Sequence, residues 1–179
     1  MPVENRRLFG INVLVDGFTK NLIRIETLDG GWSSRYFDQE SEKYWLEYVI
    51  DDRGFFRNLM LISPPPTTDE LIDIAFTSPF DDEIHAAAVR LRLEEYAEKK
   101  EFRQAVIERL KNVNISELSN LEKNRLKTII QSSQLIDKVN RREILGKHLS
   151  EIRQDAIFYE GLGDFAEGIF NKLKEGDLQ

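Results

Sequence analysis

Hydrophobic and polar positions change period once along this chain. Up to about residue 63 the apolar residues come in short, aromatic and β-branched runs, several of them alternating with polar neighbours. That pattern predicts strands. Leu8 to Val15 reads as the first, closed by a turn at Asp16-Gly17. Asn21 to Leu28 alternates around Ile23 and Ile25, as a half-buried strand should. Asp29-Gly30-Gly31 is a turn, because glycine supplies positive φ without steric cost. Trp32 to Phe37 is a third strand. Tyr44 to Ile50 and Phe55 to Ile62 flank Asp51-Asp52-Arg53-Gly54, a hairpin turn with glycine at the bulge position. The segment Ser41 to Asp51 fits two patterns, since Tyr44/Tyr48 and Trp45/Val49 also stand at i, i+4.

Pro64-Pro65-Pro66 marks a boundary, because consecutive prolines exclude helix and central strand and favour a stiff extended connector. Beyond it Leu, Ala, Glu, Lys and Arg fall at helical spacing. Thr67-x-x-Glu70 is a capping box ahead of Leu71, Ile74 and Ala75. That helix stops before Ser78-Pro79. A second runs from about Asp82 towards Lys99. A third spans Glu101 to Asn112, with Phe102, Val106, Ile107 and Leu110 inward. Ser116 starts a fourth, with Leu118, Leu121, Leu126, Ile129 and Ile130 inward. Asn140 starts a fifth, with Leu145, Leu149, Ile152, Ala156 and Tyr159 inward. Gly161-Leu162-Gly163-Asp164 stops it, and Asp164 caps a sixth. The helices pair as hairpins beginning near Thr68, Phe102 and Asn140, offset by about 34 and 38 residues, a spacing that suits a repeat array as well as a compact bundle.

The predicted fold class is therefore α+β: a small N-terminal antiparallel sheet over residues 1–63, then an α-helical hairpin region over 64–179, packed as one unit. The 179 residues suffice for a sizeable core. There are no cysteines, which removes disulfides, zinc-thiolate sites and cysteine nucleophiles. No run approaches the roughly 18–20 apolar residues of a membrane span, and the N-terminus has no signal-peptide pattern. A cytoplasmic location is expected. The formal net charge of -7 argues against phosphate neutralisation and suits a basic protein partner.

The stretch Asp81-x-x-Ile84-His85-x-x-Ala88-Val89-x-Leu91 resembles the second helix of a HEAT-type repeat. Asp81, Ile84, Ala88 and Leu91 match that pattern, while His85 stands where the family has Arg, so the Asp–Arg ladder between repeats is not carried over. The match covers one helix and implies a recognition role. In general character the small, acidic, cysteine-free chain also resembles bacterial immunity proteins, which implies neutralisation of a toxin by direct contact.

Catalytic patterns are sparse. No Gly-x-Ser-x-Gly elbow is present, and only His85 and His148 offer an imidazole. Ser150 lies two residues from His148 on the same predicted helix, so their side chains should diverge. Gly161-Leu162-Gly163 is a helix joint and lacks the lysine of a phosphate loop. His148, Glu151, Asp155 and Tyr159 share one helix face, the basis of an alternative reading as a metal-dependent hydrolase. A solvated charged face is the plainer account. The basic pairs Arg6-Arg7, Lys99-Lys100 and Arg141-Arg142 are scattered and lack interleaved aromatics. The aromatic set Trp32, Tyr36, Phe37, Tyr44, Trp45, Tyr48, Phe55 and Phe56 should divide between the core and an exposed anchor.

The residues thus favour a non-enzymatic protein-binding module without cofactor or metal. Its expected site is Asp51, Asp52, Asp81, Asp82 and Glu83 around an aromatic anchor such as Trp45. A self-associating adaptor is a further alternative.

Overall fold

The computed structural model describes residues 6–51 and 53–175. It is an α+β protein with two compact units, Met1–Ala87 and Ala88–Gln179. The proline run lies within the first unit, between its last strand and the helix that follows.

The first unit holds a five-stranded antiparallel sheet in the order β1-β5-β4-β3-β2. The strands are β1 (Leu8–Phe9), β2 (Ile23–Leu28), β3 (Ser33–Asp38), β4 (Lys43–Val49) and β5 (Arg57–Leu61). Helix α1 (Asn12–Thr19) lies between β1 and β2 in sequence. The strand expected over Leu8–Val15 is therefore only two residues long, and Asp16-Gly17 is helical rather than a turn. The reason is local. Gly10 ends the strand, and Ile11, Leu14, Val15 and Phe18 recur at helical spacing. Val15 is fully buried, and Leu14 and Phe18 pack on the same cluster.

Strand parity sorts the sheet into two faces. On one, Tyr36 pairs with Trp45 and Trp45 with Leu61, while Leu59 pairs with Phe9. This face meets α1, and the rings of Phe9, Phe18 and Trp45 interlock at centroid distances of 4.7 to 5.8 Å. The ambiguous segment 41–51 is thus strand from Lys43 to Val49. β2 is an edge, and Ile23 and Ile25 are about half exposed rather than half buried within a packed face. A bulge between Arg24 and Glu26 interrupts that edge, a feature that blunts pairing with other chains.

Gly10 sits where β1 meets the start of α3 (Asp81–Glu98). A Cβ there would run into the Asp82 carbonyl oxygen and lie 3.2 Å from the Ala86 Cβ. Gly10→Ala is expected to cost about 1–3 kcal/mol, as overpacking does. Urea denaturation would check it, and an unchanged midpoint would count against the contact.

α2 (Thr68–Thr77) begins on the expected capping box, with Thr67 and Glu70 bonding each other's backbone N–H. In the second unit, α4 (Arg103–Lys111), α5 (Asn120–Ser132) and α6 (Leu149–Glu175) bury Val106, Ile107, Leu110, Leu126, Ile129, Ile130, Tyr159, Ala166, Phe170 and Leu173. α6 packs on both α4 and α5. Among the described residues five α-helices and one 3-10 turn (Ile115–Glu117) follow the sheet, the expected fifth and sixth helices being the single α6.

Three helix expectations change. α5 starts after a second capping box, Ser119 with Glu122, rather than at Ser116, and Leu121 is exposed. The helix expected from Asn140 begins only at Leu149, so no hairpin starts at Asn140, and Leu145, Leu149 and Ala156 are exposed. Side chains hold segment 140–148 in turns instead. Asn140 Oδ1 accepts from Arg142 N at 2.9 Å, Glu143 Oε1 accepts from Ile144 N and Leu145 N, and Gly146 has φ 76°.

The expected stop at Gly161–Asp164 is instead continuous helix. A Cβ at Gly163 would lie 2.7 Å from Lys138 Cγ and 2.9 Å from the Ile136 carbonyl oxygen. That glycine admits segment 136–138 onto the helix, and Asp164 pairs with Lys138 at 2.5 Å rather than capping.

Candidate functional site

The sequence-predicted acids divide by place. Asp82 and Glu83 are buried and bind the N-terminal segment of their own unit. Asp82 Oδ2 accepts from Arg6 and from Gly10 N at 3.2 Å. Glu83 Oε1 accepts from Arg7 N and Leu8 N at 2.8 and 3.1 Å, and Oε2 from the Ser78 hydroxyl at 2.6 Å. These carboxylates are satisfied internally and hold β1 in place. Asp81 is exposed in the first turn of α3, where acid suits the helix dipole. Trp45, only 3% exposed, is a core residue rather than a surface anchor. Asp52 lies outside the described residues. Among the described residues of this set, Trp45, Asp82 and Glu83 are buried and so form no common surface with Asp51 and Asp81.

The structure gathers a different set at one end of the sheet. Trp32, Phe55 and Phe56 are 49%, 65% and 62% exposed, and Ile11 and Val13 at the start of α1 are 51% and 76% exposed. Backbone bonds bring them together. Val49 N donates to Trp32 O at 3.1 Å, closing the β3–β4 end, and Ile50 N donates to Phe56 O at 2.9 Å. A Cβ on Gly54 would stand 3.8 Å from the Trp32 ring. Asn12 clamps the loop to α1: its Nδ2 donates to Phe55 O at 2.6 Å, and its Oδ1 accepts from Arg57 N at 2.9 Å.

Asp51 shapes this tip. Its carboxylate accepts from Phe56 N at 2.8 Å and Arg53 N at 3.3 Å, and its carbonyl accepts from Gly54 N at 3.3 Å. Gly54, at φ 73°, makes the reversal that glycine tolerates. Asp29, in the β2–β3 turn, accepts from Trp32 N through its carbonyl at 3.3 Å, and Asp16 is carried by α1. Arg57 is tied to Glu47 at 2.5 Å and to Asp16 at 2.9 Å. Burial is the largest single influence and opposes its charge, but the bonds and charges of Glu47 and Asp16 together outweigh it and raise its pKa. Burial, then the bond to Glu47, pushes the Tyr36 hydroxyl up to about 12, so it stays a neutral donor at physiological pH.

Phe55, Phe56 and Trp32 belong to the aromatic set that the sequence singles out. Ile11 and Val13 were missed because Leu8–Val15 reads as a strand. The signal was present in Gly10 and in the helical spacing after it.

The helix face proposed for metal chemistry is otherwise engaged. His148 is the residue before α6, and its N–H donates to Glu151 at 2.7 Å. Asp155 is held by Lys147 at 2.6 Å and Arg142 at 2.7 Å, the causes of its lowered pKa. Because His148 precedes the helix, its Nδ1 does reach the Ser150 hydroxyl, at 3.3 Å, contrary to the divergence expected of two helical residues. Both are exposed, and Glu151 bonds the His148 backbone rather than its ring. Among the described residues no group of three or more His, Asp or Glu is placed to hold a metal ion, and no helix is long and apolar enough to cross a membrane. Comparison with protein-family models, curated proteins and solved structures finds no match for the chain.

Proposed function

We propose that this chain is a protein-binding module whose contact surface is the aromatic tip of the first unit. The observation that carries the reading is the joint exposure of Phe55 and Phe56, on a loop locked by Asp51 and Asn12, and of Trp32, which is bonded to the end of β4 through Val49 N. Exposed aromatic side chains on a held backbone suit burial by a partner at low entropic cost. The acids Asp16, Asp29 and Asp51 and the net charge of -7 favour a basic partner, by steering more than by affinity. The recognition role implied by the HEAT-type helix agrees with this reading. Its more specific form is an immunity-type role, in which the basic partner is a toxin neutralised by contact in the cytoplasm.

The test is affinity capture from the native host with the wild-type chain and with a Trp32→Ser/Phe55→Ser/Phe56→Ser variant. Each exposed site should change stability by no more than about 0.5 kcal/mol, which denaturation would verify. The expected result is a basic protein held one-to-one by the wild type, captured less at higher salt, and lost with the variant. Equal capture by both would sink the assignment. Light scattering of the isolated chain would report the self-associating alternative.

A further inference from the structure

The second unit contains a groove of about 370 Å³ lined by Tyr96, Lys99, Asn140, Arg141, Arg142 and Glu143. We propose that this groove binds a small molecule that joins a planar aromatic ring to a phosphate group through a short linker, as a nucleoside monophosphate does.

Three features point to that chemistry. The first is a set of cations with donors to spare. Arg141 pairs with Asp137, and Arg142 with Asp155 at 2.7 Å. Each of these bonds uses one of the five N–H donors of a guanidinium. The pairings, and for Arg142 the Phe158 ring 4.3 Å from its guanidinium, restrain both groups, and their remaining N–H donors are of the kind that bind phosphate. The one acid in the lining, Glu143, directs an oxygen to Ile144 N and Leu145 N at 3.0 and 3.1 Å.

The second feature is an open ring. Tyr96 is 67% exposed, with Arg141 and Lys99 at 5.8 and 5.9 Å from its centroid. A tyrosine face flanked by cations accepts a second aromatic ring by stacking and keeps the charges beside that ring's substituent. Lys99 takes φ 56°, in the left-handed region that glycine usually fills after a helix. A lysine there places its ammonium at the groove and at the C-terminal end of α3, where a cation also suits the dipole.

The third feature is an orphan donor. Asn140 Nδ2 is buried without a hydrogen-bond acceptor, although its Oδ1 is used by Arg142 N. A buried amide donor without an acceptor is costly, and because Asn140 lines the groove, a turn of its side chain would bring that donor to a phosphate oxygen. The volume lies within the range of small-ligand sites.

Calorimetric titration of the full chain with adenosine monophosphate, adenosine and inorganic phosphate would test the proposal. Adenosine monophosphate is expected to bind at least tenfold more tightly than either other probe. Arg141→Gln and Tyr96→Ser should each weaken it at least tenfold. Tyr96 is mostly exposed, so its variant keeps the test valid even if the loss of the Arg141–Asp137 pair loosens the segment. Phosphate binding as tightly as the nucleotide, nucleotide affinity unaffected by Tyr96→Ser, or no binding at millimolar concentration would each overturn it.

Discussion

Arg103→Met should be among the most damaging single substitutions in this protein, at a cost of about 3–5 kcal/mol. Arg103 is 1% exposed. Its Nε and Nη2 donate to the two Glu95 oxygens at 2.7 and 2.9 Å, and its Nη1 to the carbonyls of Leu135 and Asp137 at 3.3 and 2.5 Å. The Tyr159 hydroxyl donates to the same Glu95 at 3.3 Å. Burial, then the Glu95 charge, raises that tyrosine to about 12. Removing the guanidinium would leave a carboxylate buried without its cation, together with two carbonyls that close the segment after α5. Removing both charges with Glu95→Met/Arg103→Met should recover only part of the loss, because the carbonyls and the hydroxyl remain without partners. Urea denaturation of the three variants decides the matter. A loss below about 1 kcal/mol for Arg103→Met would mean that water already satisfies the cluster.

Trp45→Ala is expected to cost about 3–5 kcal/mol, as deletion of a large buried ring does. Its ring packs against both members of the stacked Phe9–Phe18 pair, at 5.8 and 4.9 Å, and Leu59 and Leu61 complete that cluster. The indole N–H is buried without an acceptor. Trp45→Phe removes that orphan donor and keeps a ring, so it should cost less than about 1.5 kcal/mol. Intrinsic fluorescence helps the measurement, because Trp32 is exposed and Trp45 is not. Loss of Trp45 should remove the blue-shifted component of the emission. A Trp45→Ala protein as stable as the wild type would contradict its place in the core.

The contrast between these two tryptophans shows what the sequence can and cannot reveal. Period-two alternation places Tyr36 and Trp45 on one face and Phe37 and Tyr44 on the other. Parity does not say which face is covered. The cover is α1, a helix of eight residues whose first positions read as strand. Without it, Trp45 passes for an anchor, and nothing in the sequence singles out Trp32, Phe55 and Phe56 as the exposed members of the aromatic set. Helix starts were legible where a side chain closes on its own backbone, as at Thr67 and Glu70. Ser119 and Glu122 carried the same signal in the right place, and Ser116 drew attention from it. The acids of α3 were visible as a helix start. Their inward use could not be seen, because Asp82 and Glu83 bond residues more than seventy positions away.

Gly163 carries a consequence for the mechanics of α6. Gly161, Gly163 and Gly168 each disfavour helix by about 1 kcal/mol relative to alanine. As a free peptide this segment would nucleate poorly near its middle. The backbone of Ile136 and the stem of Lys138 rest on it there, at Gly163. α6 is thus a product of assembly rather than a prefabricated rod. If that seat lifts, the helix should yield at its centre before it frays at either end.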